Sequence, residues 1–299
     1  MRDLTVGNTT EVAILYSQHA NHTAHTAEVD IVGWTTATGN RIIMRTALSS
    51  RNYGVAASAW STSKSRISVN AGSGAFPFTV EEDYMILDGL QIESTNPTGS
   101  TKHVLNLPTN FTSINNELIV KNCIIKGHNN NTYTQAGINV QGSNIKLRMF
   151  NSIVYNIYPV SASTGVMCNT AGTGAGCQVY SSTIIGGNNA VRRIGGTMII
   201  KNVYAGGSLG GDYTGTITKT TSASSDNTAD GTSPQINIAV NTSNFTNVTG
   251  GSENFHLPVG SGLLDLGTDT SGDTAPMNFT KDIDLATRSG SWDIGADER

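Results

Sequence analysis

The stretch VEEDYMILD, from Val80 to Asp88, sets Glu81, Glu82, Asp83 and Asp88 close together. Clustered carboxylates are the raw material of acid–base chemistry on sugars. A glycoside hydrolase needs two of them at a defined separation. A uronate lyase needs a cation or an arginine against the sugar carboxylate and a base for the C5 proton. His103 and His128 are the histidines that neighbouring segments would bring to Glu82 and Asp83, and these four are the candidate catalytic residues. Each also has a plainer reading: a solvated turn for Glu81 to Asp83, and surface or turn positions for the two histidines. The inventory sets a limit. Between Glu93 and Asp212 the only acid is Glu117, so the middle of the chain holds no acidic cluster. That weighs against a calcium-assisted lyase or a two-carboxylate hydrolase centred there. Lys121, Lys126, Lys146, Arg148, Lys201, Asn139 and Gln141 are the polar groups available instead. Tyr133, Tyr155 and Tyr158 would serve a carbohydrate-binding surface if they lined one exposed face. His19, His22 and His25 recur at a spacing of three, which ligates a metal only on a helix. Their polar, irregular surroundings supply none, so no metal or other cofactor is expected.

The elements that must hold these residues are strands. Charged residues make up 13% and hydrophobic residues 37% of the 299, with 33 glycines. Both shares lie below the globular average, and Ala/Glu/Lys/Leu stretches are missing. β-branched residues and turn formers dominate, which predicts an all-β chain with many turns. A net charge of -4, with Arg192–Arg193 as the one basic doublet, excludes a nucleic-acid binder that works by a basic stripe. No run of 18 apolar residues exists, so no helical membrane insertion is expected. The opening MRDLTVGNTTEVAILY lacks a signal-peptide core, which points to a removed leader or to release by lysis. Cys123, Cys168 and Cys177 are too few for a disulfide scaffold. Cys123 reads as a small core residue, and Cys168 and Cys177 could close a loop across NTAGTGAG.

Five short runs stack on one another: LDGLQIES, VKNCIIKG, MFNSIVYN, YSSTIIGG and IKNVYAGG. Aligned, they place Gly89, Asn122, Asn151, Ser182 and Asn202 at one position, at intervals of 20 to 33 residues. Further strand-like runs lie between them. A single coil of this kind cannot bury its inward Ile, Val and Leu, whereas a stack buries them in one continuous column. The aligned residues suit a sharp turn, where Asn tolerates left-handed backbone angles and its amide reaches the same residue one coil away. This organises the chain as an N-terminal cap with first coils (1–80), regular coils (81–207), a loop-rich flanking segment (208–250), and final coils with a C-terminal cap (251–299).

The tail is the most specific part. SENFHLPVGSGLLDLGTD and FTKDIDLATRSGSWDIGADE resemble the C-terminal signature of right-handed parallel β-helix proteins of the pectate-lyase-like type. The matching residues are Phe255, His256, Leu257, Ser261, Asp265, Gly267, Asp282, Asp284, Arg288, Asp293, Ile294, Gly295, Ala296 and Glu298. Leu285 departs from the pattern, which usually has Gly there. NVYAGGSLGGDYTGT and the residues that lead into the signature are similar to tails of phage-encoded and environmental bacterial β-helix proteins. The resemblance implies a right-handed parallel β-helix whose tail closes the last coil. Asp284 or Asp293 would pair with Arg288, and Trp292 and Ile294 would bury against the end of the core. It leaves activity open, because such folds serve pectin and alginate lyases, phage tailspikes and adhesins alike. The leading expectation is a non-enzymatic surface or virion-associated structural protein, extracellular or on a virion, forming a trimer or array with itself or with other surface proteins. A secreted polysaccharide lyase or hydrolase and a glycan-binding adhesin are the alternatives. An open groove of clustered charges would favour the enzyme, and a flat apolar side would favour assembly.

Overall fold

The computed structural model describes residues 2–16, 24–52, 60–70, 76–95, 102–108, 116–128, 134–171 and 175–299. All of the extended strand ladders are parallel, and the chain folds as a parallel β-helix with three faces. The first face stacks Glu11–Leu15, Ile42–Thr46, Tyr84–Asp88, Glu117–Lys121 and Lys146–Phe150, then the leading halves of Gly176–Gly186 and Thr197–Gly206, then Thr218–Thr220. The second face stacks Ile67–Asn70, Gln91–Thr95, Ile124–Lys126 and Ile153–Ile157, then the trailing halves of the two long strands, then Ala223–Ser224. The third runs from Val29–Ile31 through Phe78–Val80, Lys102–Leu107, Gln135–Val140, Thr164–Asn169 and Asn189–Gly195 to Gly211–Thr214.

Strand alternation makes the core. Along Tyr84–Asp88 every second residue points inward. The register then stacks like on like: Met85, Leu118, Leu147, Cys177 and Met198 in one row, and Leu87, Val120, Met149, Val179 and Ile200 in the next, all at most 2% exposed. Burial of these rows in neighbouring coils supplies the hydrophobic stabilisation that no single coil has.

The corner between the first and second faces follows the expected turn line with one shift. Gly89, Asn122, Asn151 and Asn202 have φ of 73, 53, 46 and 52°, but the fourth member is Ser181 (φ 39°), not Ser182. Tyr180 pairs with Lys201 and Ser182 with Val203, which puts Ser181 beside Asn202. Ser182 serves the next position inward, where its Oγ accepts the Ser152 N–H (3.2 Å), as Ser152 Oγ accepts that of Cys123 (3.1 Å). The expected amide-to-amide chain along the corner does not form. Asn122 Nδ2 donates to Asp88 (2.9 Å), while Asn151 and Asn202 donate outward, to Lys281 O and Thr268 O. An amide-to-amide contact does occur on the third face, from Asn139 Nδ2 to Asn106 Oδ1 at 2.8 Å.

The segment 208–250 does not leave the stack at its start. It adds Gly211–Thr214, Thr218–Thr220 and Ala223–Ser224, and Tyr213, Ile217 and Ala229 join the core. The departure comes after about residue 235, where Gln235 still bridges Ala223. From there the tail runs back along the flank instead of sealing the last coil. Phe245 packs edge-on to Tyr204 (5.0 Å), Phe255 to Tyr155 (5.3 Å), and Phe279 stacks on Phe150 (4.6 Å). Tyr204 lies on a later coil, and Tyr155 and Phe150 share an earlier one, on either side of the Asn151 corner. Aromatic residues on the outer side of the second face therefore form a second core under the tail. Cys123, Cys168 and Cys177 are free and buried, and Cys168 and Cys177 are neighbouring thiols rather than a disulfide.

Candidate functional site: a basic groove between coils and tail

One outward position of the first face recurs in every coil. The register aligns Ile14, Arg45, Asp88, Lys121, Phe150, Tyr180 and Lys201, one rung every ~4.8 Å. The early part of this column forms one wall of a groove of about 790 Å³. The opposite wall is the returning tail at Asn278, Phe279, Thr280, Lys281 and Leu285. Arg45, Arg51, Lys121 and Lys281 line the groove against a single carboxylate, Asp88, in a protein whose net charge is -4. The stacked Phe150 and Phe279 and the half-exposed Tyr16 add apolar surface.

Asp88 organises the cations. Its Oδ1 lies 3.0 Å from Arg51 Nη2 and accepts from Asn122 Nδ2, and its Oδ2 lies 3.5 Å from Lys121 Nζ. Gly89 makes room for this: its φ is positive, and a Cβ there would lie 2.2 Å from Arg51 Nε. Arg51 is thus laid across the turn, 3% exposed, while Arg45 and Lys281 reach solvent. Beyond the groove the column is closed. Lys201 pairs with Asp273 of the tail (2.6 Å) and lies over the Tyr180 ring.

The residues expected to be catalytic are not brought together. Glu82 is 6% exposed, and its Oε1 accepts the Trp34 N–H at 2.6 Å. Burial raises its pKa, partly offset by that bond. The Asp83 carbonyl accepts the Glu117 N–H. His103 stacks on Phe76, and its Nδ1 accepts the Ala136 N–H (3.1 Å). Burial pushes His103 and His128 down to about 4. Both are buried, at 5% and 6% exposure, rather than at the surface; His103 is covered by Phe76, and His128 follows the second-face strand Ile124–Lys126. Of the tyrosines, Tyr155 is 1% exposed beneath Phe255, Tyr158 is partly buried, and Tyr133 lies outside the described residues, as do His19 and His22. Lys126 is taken by Glu93 (3.3 Å), and Arg148 faces Glu117, which also binds Arg41.

The tail residues bury on the flank of the coils rather than against the end of the core, and they pair differently. Arg288 binds Glu298 (3.0 Å), not Asp284 or Asp293. Asp284 instead meets His256 (2.8 Å), and Asp293 caps the Asp265 and Arg299 backbone N–H groups. Trp292 lies under Arg288, and Ile294 is fully buried. Sequence reasoning missed Arg45, Arg51, Lys281 and Phe279 as groove residues. The available signal was IIMRT, whose alternation matches YMILD and so sets Arg45 beside Asp88.

No described protein family and no curated protein matches the chain. Among solved structures it is similar to the crystal structure of pectate lyase Pel9A, at 13% identity and a TM-score of 0.43, over 97% of this chain and 86% of that one.

Proposed function

We propose that this chain binds an acidic polysaccharide along the groove between the first face and the returning tail. The observation that carries the proposal is the register-aligned row Arg45, Asp88, Lys121 and Phe150 facing Lys281 and Phe279. Repeated cations on parallel rungs suit a polymer with one carboxylate per sugar, and the partly exposed Phe279, backed by Phe150, adds apolar surface beside them. Electrostatic focusing in a cleft strengthens such binding. A two-carboxylate hydrolase has no support here, since the groove offers Asp88 alone and two cations already hold it.

A second reading, polysaccharide lyase, draws on the same cations, because a uronate lyase neutralises the sugar carboxylate with such groups. The virion-associated or surface assembly role has less support. Val12, Ile14 and Tyr16 are exposed on or beside the terminal strand of the first face, at one end of the stack, and Ile194, Leu209, Ile236 and Val259 are exposed on separate segments elsewhere, whereas a trimer or array packed side by side needs one apolar patch along its flank.

The test is calorimetric titration of the full chain with polygalacturonate and alginate, with a neutral glucan as control, followed by ultraviolet detection of unsaturated uronate. Binding to both acidic polymers that weakens with salt, with no release of unsaturated product, supports the binding reading. Release of unsaturated product supports the lyase reading. Equal affinity for the neutral glucan refutes both.

A further inference from the structure

We propose that the tail carries a site for one divalent transition-metal cation, built from His256, Asp284 and Asp297. The three ligand atoms lie within 4.8 Å of one another, and they come from three separate stretches of the tail. His256 Nε2 is 2.8 Å from Asp284 Oδ2 and 3.9 Å from Asp297 Oδ1. Ligand bonds of ~2.0–2.1 Å at the tetrahedral angle put two atoms ~3.3 Å apart, and the two observed separations lie on either side of that value.

Two further observations point to a cation. The first is the orientation of the ring. Asn254 Oδ1 accepts the His256 backbone N–H (3.0 Å) and lies 2.5 Å from the ring Nδ1. That contact fixes the ring with Nε2 turned to the two carboxylates. A ligating histidine is oriented in this way, with its other nitrogen donating to a fixed oxygen. The second is unspent acceptor capacity. The Asp297 side chain is 8% exposed. Its Oδ2 takes the Leu257 N–H (2.8 Å), while its Oδ1 faces the ring and accepts no hydrogen bond from a described residue. Asp284 turns Oδ2 to the ring, and its Oδ1 is buried without a partner. Two carboxylates and one imidazole favour a cation of the zinc or manganese class. His256 and Asp284 keep 20% and 19% exposure, which leaves room for water to complete the coordination. Bound there, the cation would tie residues 254–257, 282–288 and 293–298 into one unit.

The full chain, stripped with chelator and desalted, is titrated with Zn²⁺ and its metal content measured after gel filtration. One retained equivalent per chain is expected, with a rise in Tm that chelator reverses. Asp284→Asn and His256→Gln should each lose the equivalent and the Tm response, while His25→Gln, which removes a surface histidine elsewhere, keeps both. Asp284→Asn is the informative variant if His256→Gln does not fold, because Asp284 is the more exposed carboxylate. Zn²⁺ retention that is absent in the wild type, or unchanged in Asp284→Asn, overturns the proposal.

Discussion

Replacing Arg288 by Met tests whether one buried cation holds the end of the tail together and, through Asn151, against the coils. The guanidinium has no exposed surface. It donates to Glu298 Oε2 (3.0 Å), Gly295 O (3.2 Å), Ala296 O (3.0 Å) and, more distantly, Asn151 Oδ1 (3.4 Å) of the corner, and it rests on the Trp292 ring. Burial lowers its pKa, with Glu298 acting in the opposite direction, and an arginine keeps its charge even so. Met fills similar space but strands the Glu298 carboxylate, itself 8% exposed, and removes the donor from two peptide carbonyls. Leaving one member of a buried pair alone costs about 3–5 kcal/mol. The carbonyls would add about 1 kcal/mol each, but protonation of Glu298, already favoured by its burial, limits the total to roughly the same range. The loss should fall on tail docking before the coils unfold, since repeat stacks lose structure unit by unit. Urea titration followed by tryptophan fluorescence in a background with Trp34 and Trp60 replaced by Phe, with native-state proteolysis of the tail, reads it. Arg288→Lys should lie between Met and wild type, because a point charge replaces a fork. The double variant with Glu298→Gln should show coupling of at least about 1.5 kcal/mol. A single-variant loss below about 1 kcal/mol, or coupling near zero, would refute the account.

Other expected outcomes follow from named contacts. Lys121→Ala and Arg45→Ala should each weaken binding of polygalacturonate several-fold and reduce its salt dependence, read by calorimetry; Lys146→Ala, outside the groove, should do neither. Asn202 combines a left-handed backbone with bonds to Thr268 N (2.8 Å), Thr268 O (2.7 Å) and Thr221 Oγ1 (2.6 Å). Asn202→Gly keeps the backbone and loses the bonds, so a loss of about 2–3 kcal/mol in urea titrations separates anchoring from turn geometry. His103 is held at about 4 in the folded chain against ~6.5 unfolded. Its contribution is present above pH 6.5 and is lost as pH falls towards 4. His103→Gln should therefore remove about 3 kcal/mol of that acid-side slope, and an unchanged slope counts against burial of a neutral ring.

Coils were legible in the sequence because their physics is local and periodic. An inward apolar residue at every second position, ended by Gly or Asn, fixes a strand and a corner, and the corner residues recur wherever a coil closes. The one-residue error at Ser181 has a simple cause: two adjacent serines are equivalent as small polar residues, and only the pairing of Tyr180 with Lys201 distinguishes them. The buried polar side chains were harder to read. His103, Asn106, Gln135 and Asn139 are all at most 5% exposed, with Asn106 and Asn139 on the outward side that alternates with Leu105, Leu107, Ile138 and Val140, and no one-dimensional pattern tells a covered outward amide from a solvated one.

The groove was illegible for a different reason: its two walls come from opposite ends of the chain. Arg45 and Arg51 belong to the early coils, and Phe279 and Lys281 to the tail, so no local window contains the site. Their meeting depends on the direction in which the tail leaves the stack. Had residues 236–299 closed over the last coil, Asn151 and Asn202 would have lacked their outer partners, and Phe150, Tyr155 and Tyr204 would have been exposed on the flank. Those three aromatic side chains are at most 6% exposed, and each is covered by an aromatic or apolar residue of the tail. The hydrophobic gain of covering them, on the order of 1.5–3 kcal/mol for each fully buried side chain, is therefore what directs the tail backwards. The same return path sets Lys281 opposite Lys121. In this chain the segment that seals the flank also completes the groove, so a lesion that undocks the tail at Arg288 should lower affinity for the acidic polymer even though Arg288 lines no part of the groove.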